Sequence, residues 1–400
     1  MEERIRKSRE ILCFIRGALT ATAILAIVYF ASIALPVGGY AKKPDTLQAL
    51  RKSKEIERVI QNYYLDEIDE QKQTEMMFLG QVAGLGDEYS TYFTAEQYES
   101  VSRKNSGSFM GIGISIAVDE NGNVVITECQ ENMPAILSGI VPGDFILEVN
   151  GESTEGLTGS EVAAMIQSSK NNEVTLKVQR EGRKDPIELT IEMTEMERTS
   201  VTGEMLQGSI GYIRISSFTG VTSNQFKTAY GELMIQGMKK LVIDLRDNPG
   251  GLVDSVCDTL NQILPQGVIV YTVDKNGKRN ERTSDGVNKI DIPLVVLVNG
   301  NTASAAEIFA GAVQDYKIGT IMGETTFGKG IVQDTFRLSD GSYLKLTVSK
   351  YYTPNGNDIH KVGITPDEVV EMPADGEKDI QLNQAIEFLK NQKLKAKKKQ

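Results

Sequence analysis

The sequence predicts a multidomain α/β (α+β) protein with a transmembrane helix at its N-terminus. Three observations lead to this prediction. An uncharged apolar stretch occupies residues 17–35. A helix-type pattern follows it, and strand-type and helix-type patterns then alternate from about residue 106 onward. The chain has 400 residues, of which 40 % are hydrophobic and 24 % charged, so two or three folded units with sizeable cores are expected.

The apolar stretch, "GALTATAILAIVYFASIAL", is long enough to cross a membrane. As a helix it would span about 29 Å, close to the ~30 Å hydrocarbon core of a bilayer. Basic residues precede it, so residues 1–16 are predicted to be a cytoplasmic basic segment and residues 17–35 a single-pass anchor in the cell membrane. The alternative is a cleaved signal peptide, because small residues recur at Ala31, Ala34 and Ala41. The rest of the chain is expected to be extracytoplasmic in both cases.

Charge and cysteine content exclude several functions. The formal net charge is −11, and basic residues are scattered apart from the C-terminal tail "KLKAKKKQ", so nucleic acid is not an expected partner. Three cysteines without a CxxC pair and one histidine cannot supply a zinc cluster. We expect no metal and no organic cofactor.

Residues 45–105 are predicted to be an N-terminal helical segment. An apolar stripe indicates one helical stretch over about residues 45–83, and "GLGDEYSTYF" then interrupts it with turn-forming residues. Amphipathic helices of this kind pack against a core or against a second subunit. The sequence leaves both possibilities open, and packing against a second subunit would give a homodimer.

Residues 106–197 are predicted to form a compact β-rich module. "SFMGIGISIAV" and "NVVITECQ" indicate two strands, and "EVTLKVQR" and "IELTIEMT" indicate two more. "MPAILSG" predicts a short helix. "TGSEVAAMIQSS" predicts a capped helix with either Thr158 or Ser160 as its cap.

Two motifs of this module resemble the PDZ domain. They are "GIGI" at residues 111–114 and "PAILSGIVPGDFILEVNG". Each alone is typical of a close-packed strand or a turn, but both in this order favour a PDZ domain. The resemblance implies that a peptide's terminal carboxylate binds the backbone N–H groups of Gly111, Ile112, Gly113 and Ile114, while the peptide pairs with the adjacent strand.

Residues 198–375 alternate between strand and helix patterns, which predicts an α/β core. Strands in "KKLVIDLRDNPGG" and "PLVVLVNG" are each followed by a helical pattern. Residues 376–400 are predicted to be a C-terminal helix and a basic tail. The helix would bury one apolar face, formed by Leu382, Ala385, Ile386 and Leu389.

Ser304 in "NGNTASAAEIF" lies where a strand gives way to a helix. Small neighbours allow a substrate backbone to approach, and free N–H groups in the first helical turn can stabilise negative charge. Taken alone, such a serine is more often a helix cap. The turn "DNPGG", residues 247–251, follows another strand, and ligands of open α/β sheets bind at that edge.

A third stretch, "GETTFGKG" at residues 323–330, nearly fits a phosphate-binding loop. Gly330 replaces the required hydroxyl residue, and a strand pattern follows in place of a helix, so nucleotide binding is not expected. Lys329 is then either a solvated surface lysine or a base for Ser304. Burial without an acidic partner can lower a lysine pKa towards ~7–8, which would let the neutral amine take a proton. The only histidine is His360, so a histidine-dependent serine protease is the weaker alternative.

Together these stretches resemble the carboxy-terminal (tail-specific) processing proteases. "DLRDNPGG", "NGNTASAAEIFAGAVQD", "GETTFGKGIVQ" and "LKLTVSKYYTPNGNDIHKVGITPD" match that family in order and spacing. The likeness spans about residues 45–390 and is greatest to membrane-anchored members from Gram-positive bacteria. It implies a serine endopeptidase that cleaves proteins or peptides with a free C-terminus near that end, and a PDZ domain that recognises the tail.

The resemblance also implies roles for individual residues. Ser304 would be the nucleophile, Lys329 the general base and Gln333 the residue that orients the lysine. The oxyanion hole would use the N–H of Ala305 with that of Gly250, or of Gly251 as the second choice. Ala306 departs from the serine found in many members, which we expect to tune activity. The alternative is a non-catalytic scaffold that binds tails through the PDZ domain, and it predicts loss of the serine, the lysine or the glycine turn.

Overall fold

The computed structural model describes residues 46–372 and 378–392. The predicted cytoplasmic segment, the anchor at 17–35 and the basic tail lie outside these residues. No helix within the described ranges is long and apolar enough to cross a membrane. The chain divides into two compact units, the first ending at Thr74 and the second beginning at Glu75.

Two helices occupy the helical stretch that the sequence predicted over about residues 45–83. They are α1 (Thr46–Tyr63) and α2 (Glu70–Ala83). Asp69 precedes the second helix. The Lys72 N–H donates to the Asp69 carboxylate at 2.9 Å, and aspartate favours this capping position.

From residue 91 the chain alternates short strands and helices. In order they are β1 (Thr91–Phe93), α3 (Ala95–Ser106), β2 (Ser108–Gly111), β3 (Ile114–Val118), β4 (Val124–Cys129), α4 (Pro134–Leu137), β5 (Phe145–Val149), β6 (Glu152–Ser153), α5 (Gly159–Gln167), β7 (Glu173–Gln179), β8 (Ile187–Glu192), β9 (Thr194–Glu197), β10 (Val201–Leu206), β11 (Ile210–Ile215), α6 (Thr222–Ile235), β12 (Lys240–Asp244), α7 (Val253–Leu260), β13 (Gly267–Asp274), β14 (Arg279–Ser284), β15 (Leu294–Val298), α8 (Ala305–Asp315), β16 (Thr320–Gly323), β17 (Ile331–Arg337), β18 (Tyr343–Tyr352), β19 (Glu368–Val369) and α9 (Ile380–Asn391).

The β-rich module is a sheet of order β3-β4-β5-β7-β8, with β6 on β5. Its core is formed by inward-facing residues such as Ile126, Val174 and Leu176, all fully buried. The sequence predicted "SFMGIGISIAV" as one strand, but Gly113 at φ 80° breaks it into β2 and β3. β2 instead pairs with β9. Thr158 is the cap of α5, accepting from the Glu161 N–H at 3.3 Å.

The α/β core is a sheet of order β10-β11-β12-β15-β16-β19, parallel from β11 onward. Leu241 and Ile243 of β12 pack with residues of α6, α7 and α8, whereas Val242 packs with residues of α9. The sheet is thus covered on both faces, as the uninterrupted apolar strand β15 requires. The predicted C-terminal helix is confirmed as α9, with Ala385 and Leu389 buried.

A second sheet of order β1-β18-β13-β14, with β17 on β18, completes the second unit. β1 belongs to the segment predicted to be helical, and Thr91 pairs with Lys345 of β18. In the core sheet, parallel strands β12, β15 and β16 end at the same edge. The three loops that follow them carry "DNPGG", "NTAS" and "GETTFGKG".

Candidate active site

The first two loops are in direct contact. The Ala303 N–H donates to the Asn248 carbonyl at 2.9 Å. A Cβ atom added to Gly250, whose φ is 100°, would lie 2.7 Å from the Ser304 Cβ and 2.8 Å from the Ala305 nitrogen. Only glycine therefore fits at position 250, and the turn packs directly on the predicted nucleophile.

Buried ion pairs support the strand that leads into this turn. The Arg246 guanidinium donates to Asp244 at 2.9 Å and to Asp379, the residue before α9, at 2.8 Å. The Asp244 side chain is fully buried, so its pairing with Arg246 compensates for lost hydration. This network links the end of β12 to the start of α9 and was not predicted from the sequence.

Ser304 precedes α8 and is half-buried. Its backbone angles are φ 57° and ψ −117°, a conformation that costs free energy for a residue with a side chain. Its N–H donates to Glu307 Oε2 at 2.8 Å, and its carbonyl accepts from the Tyr351 hydroxyl at 2.9 Å. These contacts hold the strained backbone in place.

Lys329 lies in the third loop, separated from β17 by Gly330, and is half-buried. Burial lowers the pKa of its amine, and the charge of Lys345 lowers it further. Asp87, Glu88 and Glu307 oppose this change without reversing it. The neutral form of the Lys329 amine is thus more readily populated than that of a solvated lysine.

Glu307 joins Ser304 to the Lys329 loop. Its carboxylate is fully buried and accepts from four donors. They are the Ser304 N–H at 2.8 Å, the Lys329 N–H at 2.8 Å, the Gly328 N–H at 2.7 Å and the Thr326 hydroxyl at 2.6 Å. The Tyr351 hydroxyl makes a second link, because it contacts the carbonyls of both Ser304 and Lys329. Neither residue was predicted from the sequence, although a glutamate three residues after a serine is a capping signal.

Ser304, Lys329, Gln333 and Gly251 line one cleft of about 1300 Å³. Within residues 46–372 and 378–392, no hydrogen bond joins Ser304 Oγ to Lys329 Nζ. The Gln333 amide donates to Thr347 Oγ1 at 3.3 Å and to the Ile331 carbonyl at 3.4 Å. Its role in orienting Lys329 stays a prediction, as does proton transfer between Lys329 and Ser304.

The three predicted oxyanion donors differ in availability. The Gly250 N–H donates to the Asn248 side chain at 2.8 Å. The N–H groups of Gly251 and Ala305 have no hydrogen-bond partner in the part of the chain that the structure describes. The N–H of Gly251, the second choice from the sequence, is thus free to donate, whereas that of Gly250 is engaged; the oxyanion roles of these residues stay predictions.

The predicted carboxylate loop lies in the β-rich module, apart from these residues. The Ile112 carbonyl accepts from the Ala135 N–H and the Gly113 carbonyl from the Gln130 N–H, both at 2.9 Å. A Cβ atom on Gly113 would lie 2.3 Å from the Met133 Cβ, so the backbone there is closely packed. Gly111 ends β2, and Ile114 begins β3, an edge strand. Capture of a carboxylate here stays a prediction.

Two family models match the chain. One, described as peptidase family S41, matches residues 209–370, and the other, the PDZ domain, matches residues 100–179.

Individual relatives agree with these matches. A carboxyl-terminal-processing protease from Synechocystis sp. is 39 % identical over 297 residues, which cover 73 % of this chain and 70 % of the relative. A probable CtpA-like serine protease from Staphylococcus aureus is 34 % identical over 371 residues, which cover 92 % of this chain and 73 % of the relative. Among solved structures, a photosystem II D1 C-terminal processing protease is 30 % identical, with coverage of 82 % and 87 % and a TM-score of 0.48.

The chain is therefore a serine-type peptidase that carries a PDZ domain. It belongs to the carboxyl-terminal-processing proteases of peptidase family S41. This membership favours an enzyme over the non-catalytic scaffold considered from the sequence.

Proposed function

We propose that this peptidase uses Ser304 as its nucleophile and Lys329 as its general base, and that its PDZ domain recognises the substrate's C-terminal tail. The observation that carries the proposal is that both residues line one cleft while their main chains are bonded to one buried carboxylate, that of Glu307. That arrangement fixes the two loops relative to each other, as a two-residue catalytic unit requires.

The reaction then follows from the site. Neutral Lys329 takes the Ser304 proton while the serine oxygen attacks the scissile carbonyl. The N–H groups of Ala305 and Gly251 stabilise the resulting oxyanion, at about 3 kcal/mol per donor in comparable sites. Protonated Lys329 gives its proton to the leaving amine, and water then hydrolyses the acyl-enzyme.

Tail recognition is supported by the free edge of the PDZ sheet. Among the strands that the structure describes, β3 has a neighbour on one side only, and an extended peptide can pair with the other side. The N–H groups of Ile112 and Gly113 have no partner among the described residues, which suits a terminal carboxylate. The substrates proposed are proteins or peptides with a free C-terminus.

The location is proposed from the sequence alone. Residues 17–35 anchor the chain in the cell membrane, with the peptidase on the extracytoplasmic side. External protease added to intact spheroplasts should digest the peptidase, and protection from it would contradict this orientation.

Exposed apolar side chains on α1, including Leu47, Leu50 and Val59, suit a homodimer.

The catalytic assignment is tested with a tagged unfolded substrate, with product masses giving the cut positions. Ser304→Ala and Lys329→Met should each abolish cleavage. Lys329→Arg should also fail, because arginine stays charged. Cleavage by the lysine variants would remove Lys329 as the base. Amidation of the substrate's C-terminus should weaken cleavage by the wild-type enzyme, and unchanged rates would argue against carboxylate capture.

The pH dependence of kcat/KM provides a second test. Because the neutral amine is the active form, the rate should rise with pH through the pKa of Lys329. Burial and Lys345 lower that pKa, so the midpoint should lie below the ~10.4 of a free lysine. A rate that falls across this range would contradict a lysine base.

A further inference from the structure

Tyr89 lies beside the predicted base. It belongs to the segment "GDEYSTYF", whose only predicted role was to end a helix. Lys329 Nζ lies 4.5 Å from the centroid of the Tyr89 ring. A lysine ammonium within about 6 Å of an aromatic ring centroid is attracted to the ring face.

The segment that carries Tyr89 is firmly placed. The Asp87 carboxylate accepts from the Tyr89 N–H at 3.2 Å and also from the Ser90 hydroxyl. Ser90 Oγ in turn accepts from the Thr347 N–H at 3.0 Å. These bonds join the segment to β18, the strand that also carries Tyr351. The ring therefore has a defined position relative to the cleft.

Charged groups from three sides surround the Lys329 amine. Lys345 comes from β18, Asp87 and Glu88 come from the segment of Tyr89, and Glu307 comes from α8. Burial and Lys345 favour the neutral amine, whereas the three carboxylates favour the ammonium. The Tyr89 ring, like the three carboxylates, favours the ammonium, because only the charged form of Lys329 is attracted to the ring.

We propose that Tyr89 is a positioning residue that holds the Lys329 ammonium on its ring in the resting enzyme. Lys329 then loses a proton to solvent and leaves the ring as the neutral amine, which takes the Ser304 proton. The inference rests on the proposed function, in which Lys329 is the base. Tyr89 restrains the base nitrogen and takes no part in making or breaking bonds.

A non-aromatic side chain at position 89 should release the amine. In Tyr89→Leu the rising part of the pH profile should shift to lower pH by about half a pH unit. At a given pH on that part of the profile, the reaction should then be about threefold faster than in the wild type. Tyr89→Met should behave in the same way. Tyr89→Phe keeps the ring and should match the wild type. Tyr92→Leu is the matched control, because the Tyr92 ring packs on Phe78 at 5.5 Å.

The experiment measures the rate at which a fluorophosphonate labels Ser304 in the full-length protein between pH 6 and 10. This readout needs no peptide substrate. Thermal unfolding of each variant checks that it is folded. The proposal is overturned if the pH profiles of both non-aromatic variants match that of the wild type or shift to higher pH. It is also overturned if the profile of Tyr89→Phe or of Tyr92→Leu shifts to lower pH as those of the non-aromatic variants are expected to.

Lys329→Met separates failure of this inference from failure of the proposed function. If it keeps pH-dependent labelling, Lys329 is not the base and both ideas fail. If it abolishes labelling while Tyr89→Leu matches the wild type, only the role of Tyr89 is lost.

Discussion

Helices α5 and α8 begin with the same local pattern, yet the two helix starts have different surroundings. A hydroxyl residue precedes each helix, and a glutamate follows three residues later, as Thr158 with Glu161 and Ser304 with Glu307. In both, the N–H of the hydroxyl residue donates to the glutamate, at 2.7 Å in α5 and 2.8 Å in α8. The sequence alone would class both as capping boxes.

The tertiary surroundings separate them. Glu161 is exposed, and its hydrogen bonds are to Thr158. Glu307 is fully buried and accepts from three additional donors of the 323–330 loop. Thr158 has an extended backbone at φ −75°, whereas Ser304 is at φ 57°. One motif is thus an exposed helix cap, and the other also joins two loops of the candidate active site.

The largest effect is expected for Glu307→Gln. An amide replaces one acceptor oxygen with an NH2 group that faces N–H or O–H donors. We expect activity to fall about 100-fold or more, and the free energy of unfolding to fall by about 1–3 kcal/mol. Peptide hydrolysis and urea unfolding measure the two effects. Activity within a few-fold of the wild type would show that the four bonds do not hold the catalytic geometry.

A smaller loss is expected for Tyr351→Phe. The change removes the second link between the Ser304 and Lys329 main chains and keeps the buried ring. One lost neutral hydrogen bond predicts a free energy of unfolding lower by about 1 kcal/mol and activity lower by about tenfold. Tyr352→Phe is the control, because that ring stacks on Tyr271 at 5.2 Å. Equal behaviour of the two variants would show that the Tyr351 hydroxyl has no special role.

The smallest effect is expected for Glu161→Gln, the counterpart of Glu307→Gln. Glutamine also serves at this position of a capping box, and the site is exposed. The free energy of unfolding should match that of the wild type within experimental error, with unchanged hydrolysis. Similar losses in Glu161→Gln and Glu307→Gln would remove the distinction between the two helix starts.

Sequence patterns were sufficient where the signal is local. Apolar strands followed by helices predicted the α/β core, and parallel pairing then brings the ends of β12, β15 and β16 to one edge. The predicted serine, lysine and glycine turn therefore lie together. Local signals were misleading where one residue changed the backbone, as at Gly113, which divides β2 from β3.

By itself the sequence determined the order of the elements, the family and the candidate nucleophile and base, because periodicity and motifs are properties of neighbouring residues. Only the tertiary structure decided what surrounds them. Glu307 contacts Lys329 across 22 positions and Tyr351 contacts Ser304 across 47. Tyr89 contacts Lys329 although the two residues are far apart in the sequence. Such contacts depend on burial and on the meeting of distant segments, so no local pattern distinguishes a buried carboxylate that joins two loops from an exposed helix cap.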